Sequence, residues 1–279
     1  MPGSKPGEIV LYSEVTTSCS HRCDFCPIDH VERRGNISPD VQRGVLRLIS
    51  SNPGRKFIVY PHLVGEPLLF AGLEEYLKTL AALPNVELWL CTNGVLLDAA
   101  RLQALHESGL RNIWFSMFYA TPADYQKYTH ADRFDDARRN LYYLLAQSSR
   151  FNKIQLILFS QATAELEALI RDQSNVTLQV RRNVHPWKIE GWLYSRVLFR
   201  FLFMGMAKLR TKYVCVSIDG KVGFDWRNYN FRNSPGNICD PDPSKFMQQI
   251  DAGFIDVLKS KLNDRWKRIG TTHANHDLP

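Results

Sequence analysis

Cys19, Cys23 and Cys26 fall within the stretch TSCSHRCDFCPIDH (17–30), spaced C-x3-C-x2-C with Pro27 directly after the last. The chain has 279 residues and 6 Cys, so half of its cysteines sit in this one loop. The N-terminal MPGSKPGEIV lacks the apolar centre of a secretory signal. Clustered cysteines without such a signal argue for metal binding in a reducing compartment and against a disulfide framework. A structural zinc takes four protein ligands, and C-x3-C is not its usual opening spacing; on that alternative His21 or His30 supplies the fourth ligand. A cubane [4Fe–4S] cluster normally takes four thiolates. Three leave one iron open to an outside ligand, which points to a cluster that does chemistry beyond carrying electrons.

The elements that must position this loop are legible as apolar runs. EIVLYSEV (8–15), KFIVYPH (56–62), VELWLCT (86–92), NIWFSMF (112–118), KIQLILF (153–159) and VTLQVRR (176–182) read as strands. Several are nearly continuous β-branched and aromatic runs, as in a parallel sheet buried on both faces. Helical patterns fill the gaps. Ser38 and Pro39 make an N-cap and N1 pair ahead of Val41, Val45, Leu48 and Ile49. Asp98 caps a helix that Gly109 stops, Thr121 and Pro122 open another, and Asp135 precedes the stripe Leu141, Leu144 and Leu145. TAELEALIRD (163–172) bridges the fifth and sixth strands. The fold class is therefore α/β, an open partial (β/α)6 barrel with right-handed crossovers and a small C-terminal α+β subdomain after residue 190.

In parallel barrels chemistry gathers at the C-terminal strand ends. The first strand leads into the cysteine loop. The second ends in Gly65, Glu66 and Pro67, and the third in Thr92, Asn93 and Gly94. The fourth carries Ser116, the fifth Ser160, and the sixth runs into Arg182, His185 and Trp187. Six such groups on one rim make a site. Cys91, inside an apolar strand, reads as a small buried hydrophobe.

These motifs resemble the radical S-adenosylmethionine (radical SAM) superfamily. Its hallmark is C-x3-C-x2-C after the first strand, with an aromatic residue, here Phe25, before the last cysteine. GEP (65–67) and TNG (92–94) follow the second and third strands in the family's order, and the resemblance covers roughly residues 8–190. It implies that Cys19, Cys23 and Cys26 hold three irons of one [4Fe–4S] cluster and that the amine and carboxylate of S-adenosyl-L-methionine (SAM) chelate the fourth. It further implies cofactor contacts at Phe25, Gly65, Glu66, Pro67, Thr92, Asn93 and Ser116. Gly65 would let the backbone approach SAM, and Glu66 would offer acceptors to its ammonium. The alternatives are that Glu66 serves the fold, that Asn93 terminates its strand, and that Ser116 and Phe25 only pack. One electron from the cluster would cleave SAM to a 5′-deoxyadenosyl radical, which removes a hydrogen atom from an inert C–H bond.

Residues 191–279 resemble the start of the superfamily's SPASM or twitch extension. Cys215, Asp219-Gly220, Val222 and Gly236-Asn237-Ile238 match, but the late cysteines that hold auxiliary clusters are missing and only Cys239 follows. A second cluster would need His273, His276 or Asp225 as extra ligands. The expectation is a scaffold without an auxiliary cluster, hence redox-neutral chemistry such as epimerisation or rearrangement, with Cys215 or Cys239 as hydrogen donor. The alternatives are a radical SAM dehydrogenase or a peptide-modifying enzyme that uses an auxiliary cluster, and a non-catalytic iron–sulfur or zinc protein.

Only about seven residues precede the first strand, which favours a small polar substrate (a sugar, aminocyclitol or nucleotide derivative) over a peptide. Tyr119, Arg182, His185 and Trp187 are the candidates to face it. A one-electron reductant such as flavodoxin or ferredoxin is implied. The formal charge of +7 suits an anionic partner or substrate. The basic residues are scattered, so nucleic acid is not expected. VLFRFLFMGMA (197–207) is about half the length of a membrane span and reads as a core helix. The expected location is the cytoplasm.

Overall fold

A computed structural model describes residues 8–181, 212–224, 229–231, 234–242, 246–248 and 250. Eight strands are described: β1 (Glu8–Ser13), β2 (Lys56–Tyr60), β3 (Val86–Thr92), β4 (Asn112–Phe118), β5 (Lys153–Leu158), β6 (Val176–Val180), β7 (Lys212–Val216) and β8 (Val222–Gly223). They form one sheet in the order β6-β5-β4-β3-β2-β1-β7-β8. β1 to β6 pair in parallel, in chain order. All six strands anticipated from sequence are present, and among the described residues the sheet stays open, with β6 and β8 at its edges.

The crossovers are α1 (Pro39–Ser50), α2 (Leu73–Ala81), α3 (Ala99–Glu107), α4 (Pro122–Thr129), α5 (Phe134–Ala146) and α6 (Ala164–Ile170). Side-chain caps start four of them: Ser38, Asp98, Thr121 and Thr163 each accept a backbone N–H from the first turn. α5 begins at Phe134, before Asp135, so both Asp135 and Asp136 lie in its first turn. α2 was not anticipated, although Leu73, Tyr76, Leu77 and Leu80 fall at helical spacing and are all buried.

Strand parity divides the apolar residues into two layers. Ile9, Leu11, Phe57, Val59, Leu88, Leu90, Ile113 and Phe115 pack outward under the helices. Val10, Tyr12, Ile58, Tyr60, Trp89, Trp114 and Ile157 face inward. At the N-terminal strand ends the inner face is closed by charge and indole. Lys56 pairs with Glu87 at 2.6 Å, and Trp89 Nε1 donates to Glu87 Oε1 at 2.8 Å.

β7 lies parallel to β1, with Tyr12 opposite Cys215, so this part of the C-terminal region extends the barrel sheet itself. β7 and β8 pair antiparallel as a hairpin, and although Asp219-Gly220 would suit a type I′ turn, the turn is not of that type. Gly220 takes φ 82 while Asp219 keeps a negative φ. Gly220 N–H donates to Ser217 O at 2.9 Å and Ser217 N–H to Lys221 O at 3.0 Å, a three-residue loop closed by a left-handed glycine. Gly236-Asn237-Ile238 pairs with this turn: Val222 N–H donates to Gly236 O and Ile238 N–H to Gly220 O. Beyond Pro243, residues 246–248 and 250 are described, and they are helical. The segment 197–207 lies outside the described residues. No described helix is long and apolar enough to cross a membrane.

One buried ion pair joins the two regions. Arg33 donates to both carboxylate oxygens of Glu14, at 2.5 and 2.6 Å. The side chains are 10% and 0% exposed. Ile218 N–H also donates to Glu14, while Arg33 donates to Tyr229 O and lies 4.9 Å from the Phe231 ring centroid. Arg33→Met strands the Glu14 charge in the interior, so urea denaturation should show a loss of about 3–5 kcal/mol. Adding Glu14→Gln should recover part of it. A loss within about 0.5 kcal/mol, the range of ordinary surface changes, would contradict this account of the pair.

Candidate active site

The cysteine loop leaves β1 and is tied at its neck. Ile37 N–H donates to Val15 O, Thr17 N–H to Gly35 O, and Gly35 N–H to Thr17 Oγ1. Farther out, the loop satisfies the end of α4. Arg22 N–H donates to Thr129 O at 2.9 Å and Asp24 N–H to Tyr128 O at 3.0 Å, using carbonyls that a helix terminus leaves unpaired. Cys26 N–H turns back onto Cys23 O at 2.8 Å.

The three thiols share an environment that disfavours isolated thiolates. Burial pushes Cys19 up to about 12, with the Glu66 carboxylate adding to it. Burial likewise raises Cys23, with Cys26 and Cys19 as further causes, and lifts Cys26 to about 11. Bound iron would supply the positive charge that offsets this cost. Three clustered thiols are thus a donor set whose chemistry suits a [4Fe–4S] cluster, which Cys19, Cys23 and Cys26 would hold. His21, considered as a zinc ligand, is already engaged. Asn93 Nδ2 lies 3.1 Å from its Nδ1, Ser20 Oγ 2.9 Å from the same atom, and Tyr125 Oη 2.6 Å from Nε2. Burial lowers its pKa to about 4, so the ring is neutral and acts as a strut.

The second and third strand ends brace the same loop. A Cβ on Gly65 would lie 2.1 Å from Thr16 O, so glycine is needed here for the approach of the cysteine loop's own backbone. Glu66 N–H donates to Ser18 O at 2.8 Å. The Glu66 side chain, 3% exposed, accepts from Leu68 N at 3.2 Å, Thr92 Oγ1 at 2.7 Å and Asn93 N at 2.8 Å. Burial raises its pKa to about 7 against the pull of these donors. Pro67 starts the short 3-10 turn Pro67–Leu69 that Glu66 caps. Asn93 is committed to His21 and Ser20 through Nδ2 and to Val95 N through Oδ1.

Phe25 docks edge-on against Phe118 and Phe159, each at 4.8 Å, and those two rings stack at 5.1 Å. A register shift between Ser116 and Phe118, with Phe118 at φ 63, turns the end of β4 toward them. Tyr119 is buried and stacks on Tyr128 at 4.8 Å, so it lines the packing around the cysteine loop and not an open substrate face. Ser160 Oγ accepts from Ala120 N at 3.0 Å. Arg182, His185 and Trp187 lie outside the described residues.

The remaining cysteines fall on different faces. Cys215 is on the inner face of β7, 1% exposed. Cys239 is exposed on the outer side, where Arg47 of α1 donates to its carbonyl. Cys239 thus lies on the helix side of the sheet and not on the inner face that carries Cys215, which speaks against it as a hydrogen donor to the barrel interior. Cys91, read from the sequence as filler, is half-buried on the inner face of β3 with Sγ 3.7 Å from Ser116 Oγ. His62, Gln155 and Arg181 also face inward and were missed. The available signal was strand parity: Gln155 alternates with Ile154 and Leu156, both of which pack outward.

A sequence profile described as the Radical SAM superfamily matches residues 13–172, which include the cysteine loop and the GEP and TNG turns. The chain is 29% identical over 229 residues to a GTP 3′,8-cyclase of Chlorobaculum tepidum, covering 80% of this chain and 66% of that protein. It is 30% identical over 124 residues to that of Aquifex aeolicus, covering 42% and 38%. The alignments thus span less than two thirds of these relatives' own lengths. Among solved structures, BtrN in complex with AdoMet and 2-DOIA superposes with TM-score 0.55 at 18% identity, covering 90% of this chain and 89% of BtrN. Native anSMEcpe with bound AdoMet and Cp18Cys peptide gives 0.61 at 14%, covering 87% and 80%. At such identities the likeness is one of fold. The profile spans more than half of the chain, and its family implies a [4Fe–4S] cluster and SAM; the chain belongs to the radical SAM superfamily.

Proposed function

We propose that this radical SAM enzyme acts on a small polar molecule (a sugar, aminocyclitol or nucleotide derivative) and leaves it at its original oxidation level, by epimerisation or rearrangement. The name of the GTP 3′,8-cyclase relatives supports keeping a nucleotide in that list. Cys19, Cys23 and Cys26 hold the single cluster, with SAM beside Glu66, Pro67, Thr92, Asn93 and Ser116, and a flavodoxin or ferredoxin as reductant in the cytoplasm. When bound, the reduced cluster supplies the electron that converts SAM into a hydrogen-abstracting 5′-deoxyadenosyl radical. Residues 8–190 form the catalytic core, and within 191–279, similar to a SPASM or twitch extension, the described strand β7 and the contacts of Ile218 and Tyr229 brace it.

The observation that carries the redox-neutral assignment is the distribution of the other three cysteines. Cys215 and Cys91 are on the inner face, while Cys239 is on the outer side with α1. Residues on opposite sides of a sheet do not form a second cluster site. The inner thiols are instead suited to return a hydrogen atom to a substrate radical. The protein's own part is to exclude water and hold the reacting carbon still.

Cys23→Ala should abolish 5′-deoxyadenosine formation; near-wild-type production would refute the cluster assignment. Reconstituted protein should hold about four irons per chain, as one cubane requires. Roughly eight, with the excess lost on replacing Cys215 or Cys239, would favour the dehydrogenase alternative. In deuterated water an epimerised product should carry one deuterium at the inverted carbon. Cys215→Ser or Cys91→Ser should suppress product while SAM is still cleaved. A product two electrons more oxidised than the substrate would overturn the redox-neutral reading.

A further inference from the structure

The inner face of the barrel holds polar atoms that the fold leaves without hydrogen bonds. Trp114 Nε1, Gln155 Oε1 and His62 Nδ1 are all buried and unpartnered. Trp114 and Gln155 are 7% and 6% exposed and sit side by side on β4 and β5. His62 packs edge-on against Tyr12 and Tyr60, at 5.7 and 5.8 Å, and Tyr60 lies edge-on to Trp114 at 6.2 Å. The Arg181 guanidinium carbon lies 4.9 Å from the Trp114 ring centroid. Its hydrogen bonds go to Gln179 Oε1, and no carboxylate among the described residues pairs with it. Burial lowers the Arg181 pKa only from its ordinary, very basic value, so the side chain remains cationic.

Buried polar atoms are nearly always satisfied in folded proteins, so a group of exceptions in one place needs an explanation. Here the exceptions have complementary characters. An indole N–H donates, an imidazole nitrogen donates or accepts, and an amide oxygen accepts. Beside them stands a cation with no carboxylate partner among the described residues. Tyr60 and Trp89 are buried and stack at 6.0 Å one step toward the N-terminal strand ends, so a ligand would enter from the rim that carries the cysteine loop.

We propose that this face, between His62, Trp114, Gln155 and Arg181, binds the substrate's acidic group, a carboxylate or phosphate ester, with Arg181 and the Trp114 N–H as donors and Gln155 Oε1 accepting from a neighbouring hydroxyl or amine. The proposal rests on the radical SAM reading and adds to it a substrate class, a small polar acid. Charge-assisted bonds to Arg181 select the acid over its neutral counterpart, and the chain's formal charge of +7 favours the approach of such a ligand.

Three hexoses of similar size test it by calorimetric titration into anaerobically reconstituted protein with SAM: glucose, glucuronate and glucose 6-phosphate. At least one acidic sugar should bind ten-fold or more tightly than glucose, and high salt should erode the preference. A lead for glucose 6-phosphate assigns a phosphate ester, and a lead for glucuronate a carboxylate. Arg181→Gln should bring the acids down to the level of glucose, with circular dichroism checking its fold. The wild-type comparison needs no variant. Equal affinities for all three sugars, absence of binding by both acids at millimolar concentration, or an acid preference that survives Arg181→Gln in a folded protein overturns the proposal. SAM cleavage assayed on the same wild-type preparation separates the two levels. Cleavage with equal sugar affinities removes the substrate class alone, whereas failure to cleave removes the function on which it rests.

Discussion

Parallel strands deliver their loops to one rim but provide no ladder to hold those loops in register. In this protein the Glu66 carboxylate performs that task. Both of its oxygens accept from elsewhere in the rim, one from Thr92 Oγ1 and Leu68 N and the other from Asn93 N. Its own N–H reaches Ser18 in the cysteine loop. The second and third strand ends are thereby locked together, and Asn93 passes the constraint on to His21 between Cys19 and Cys23. A shorter Asp would not span these partners, and a Gln would replace one acceptor oxygen with a donor. Gly65 completes the arrangement by letting Thr16 O approach where any side chain would stand. The cysteine loop is therefore held by contacts within the chain itself, and preorganisation of this kind lowers the ordering cost of binding.

The Glu14–Arg33 pair does for the far side of the loop what Glu66 does for the near side. Glu14 immediately follows β1 and Arg33 lies beyond the last cysteine, so their pairing draws the loop's exit back toward its entrance. Ile218 and Tyr229 bond to the same two side chains, which means the C-terminal hairpin is packed into the loop's support. Because a buried pair is costly to break and modest in net stabilisation, its main effect is to fix geometry. The described part of the C-terminal region thus has a structural use of its own, independent of any cofactor.

Much of the barrel was legible because strands buried on both faces must be apolar throughout, and such runs stand out against amphipathic helices. The helix caps were legible for the same local reason: Ser38, Asp98 and Thr121 act on N–H groups three residues away. What was not legible depended on distant partners. Gly65 and Asn93 carry a motif in sequence, but their commitment to the cysteine loop arises from contacts across more than forty and more than seventy positions of chain respectively. The turn at Asp219-Gly220 follows from Asn237, which donates to Asp219 O and crowds Gly220. Short apolar runs also conceal parity. Trp114 and Phe115 look alike in sequence, yet one faces the barrel interior and the other the helices.

That parity has a chemical consequence. Tyr12 pairs with Tyr60 and with Cys215 across the β1 ladders, and Cys91 pairs with Trp114, so the inner thiols sit beside large aromatic rings. Such surroundings disfavour the thiolate, and burial indeed raises Cys91 to about 12. A neutral thiol keeps the S–H bond from which a hydrogen atom is donated, whereas a thiolate has none to give. The stacked rings of Tyr12, Tyr60 and Trp89 therefore line the inner face beside Cys91 and Cys215, and burial keeps Cys91 in the protonated form that the hydrogen-atom return proposed above would use.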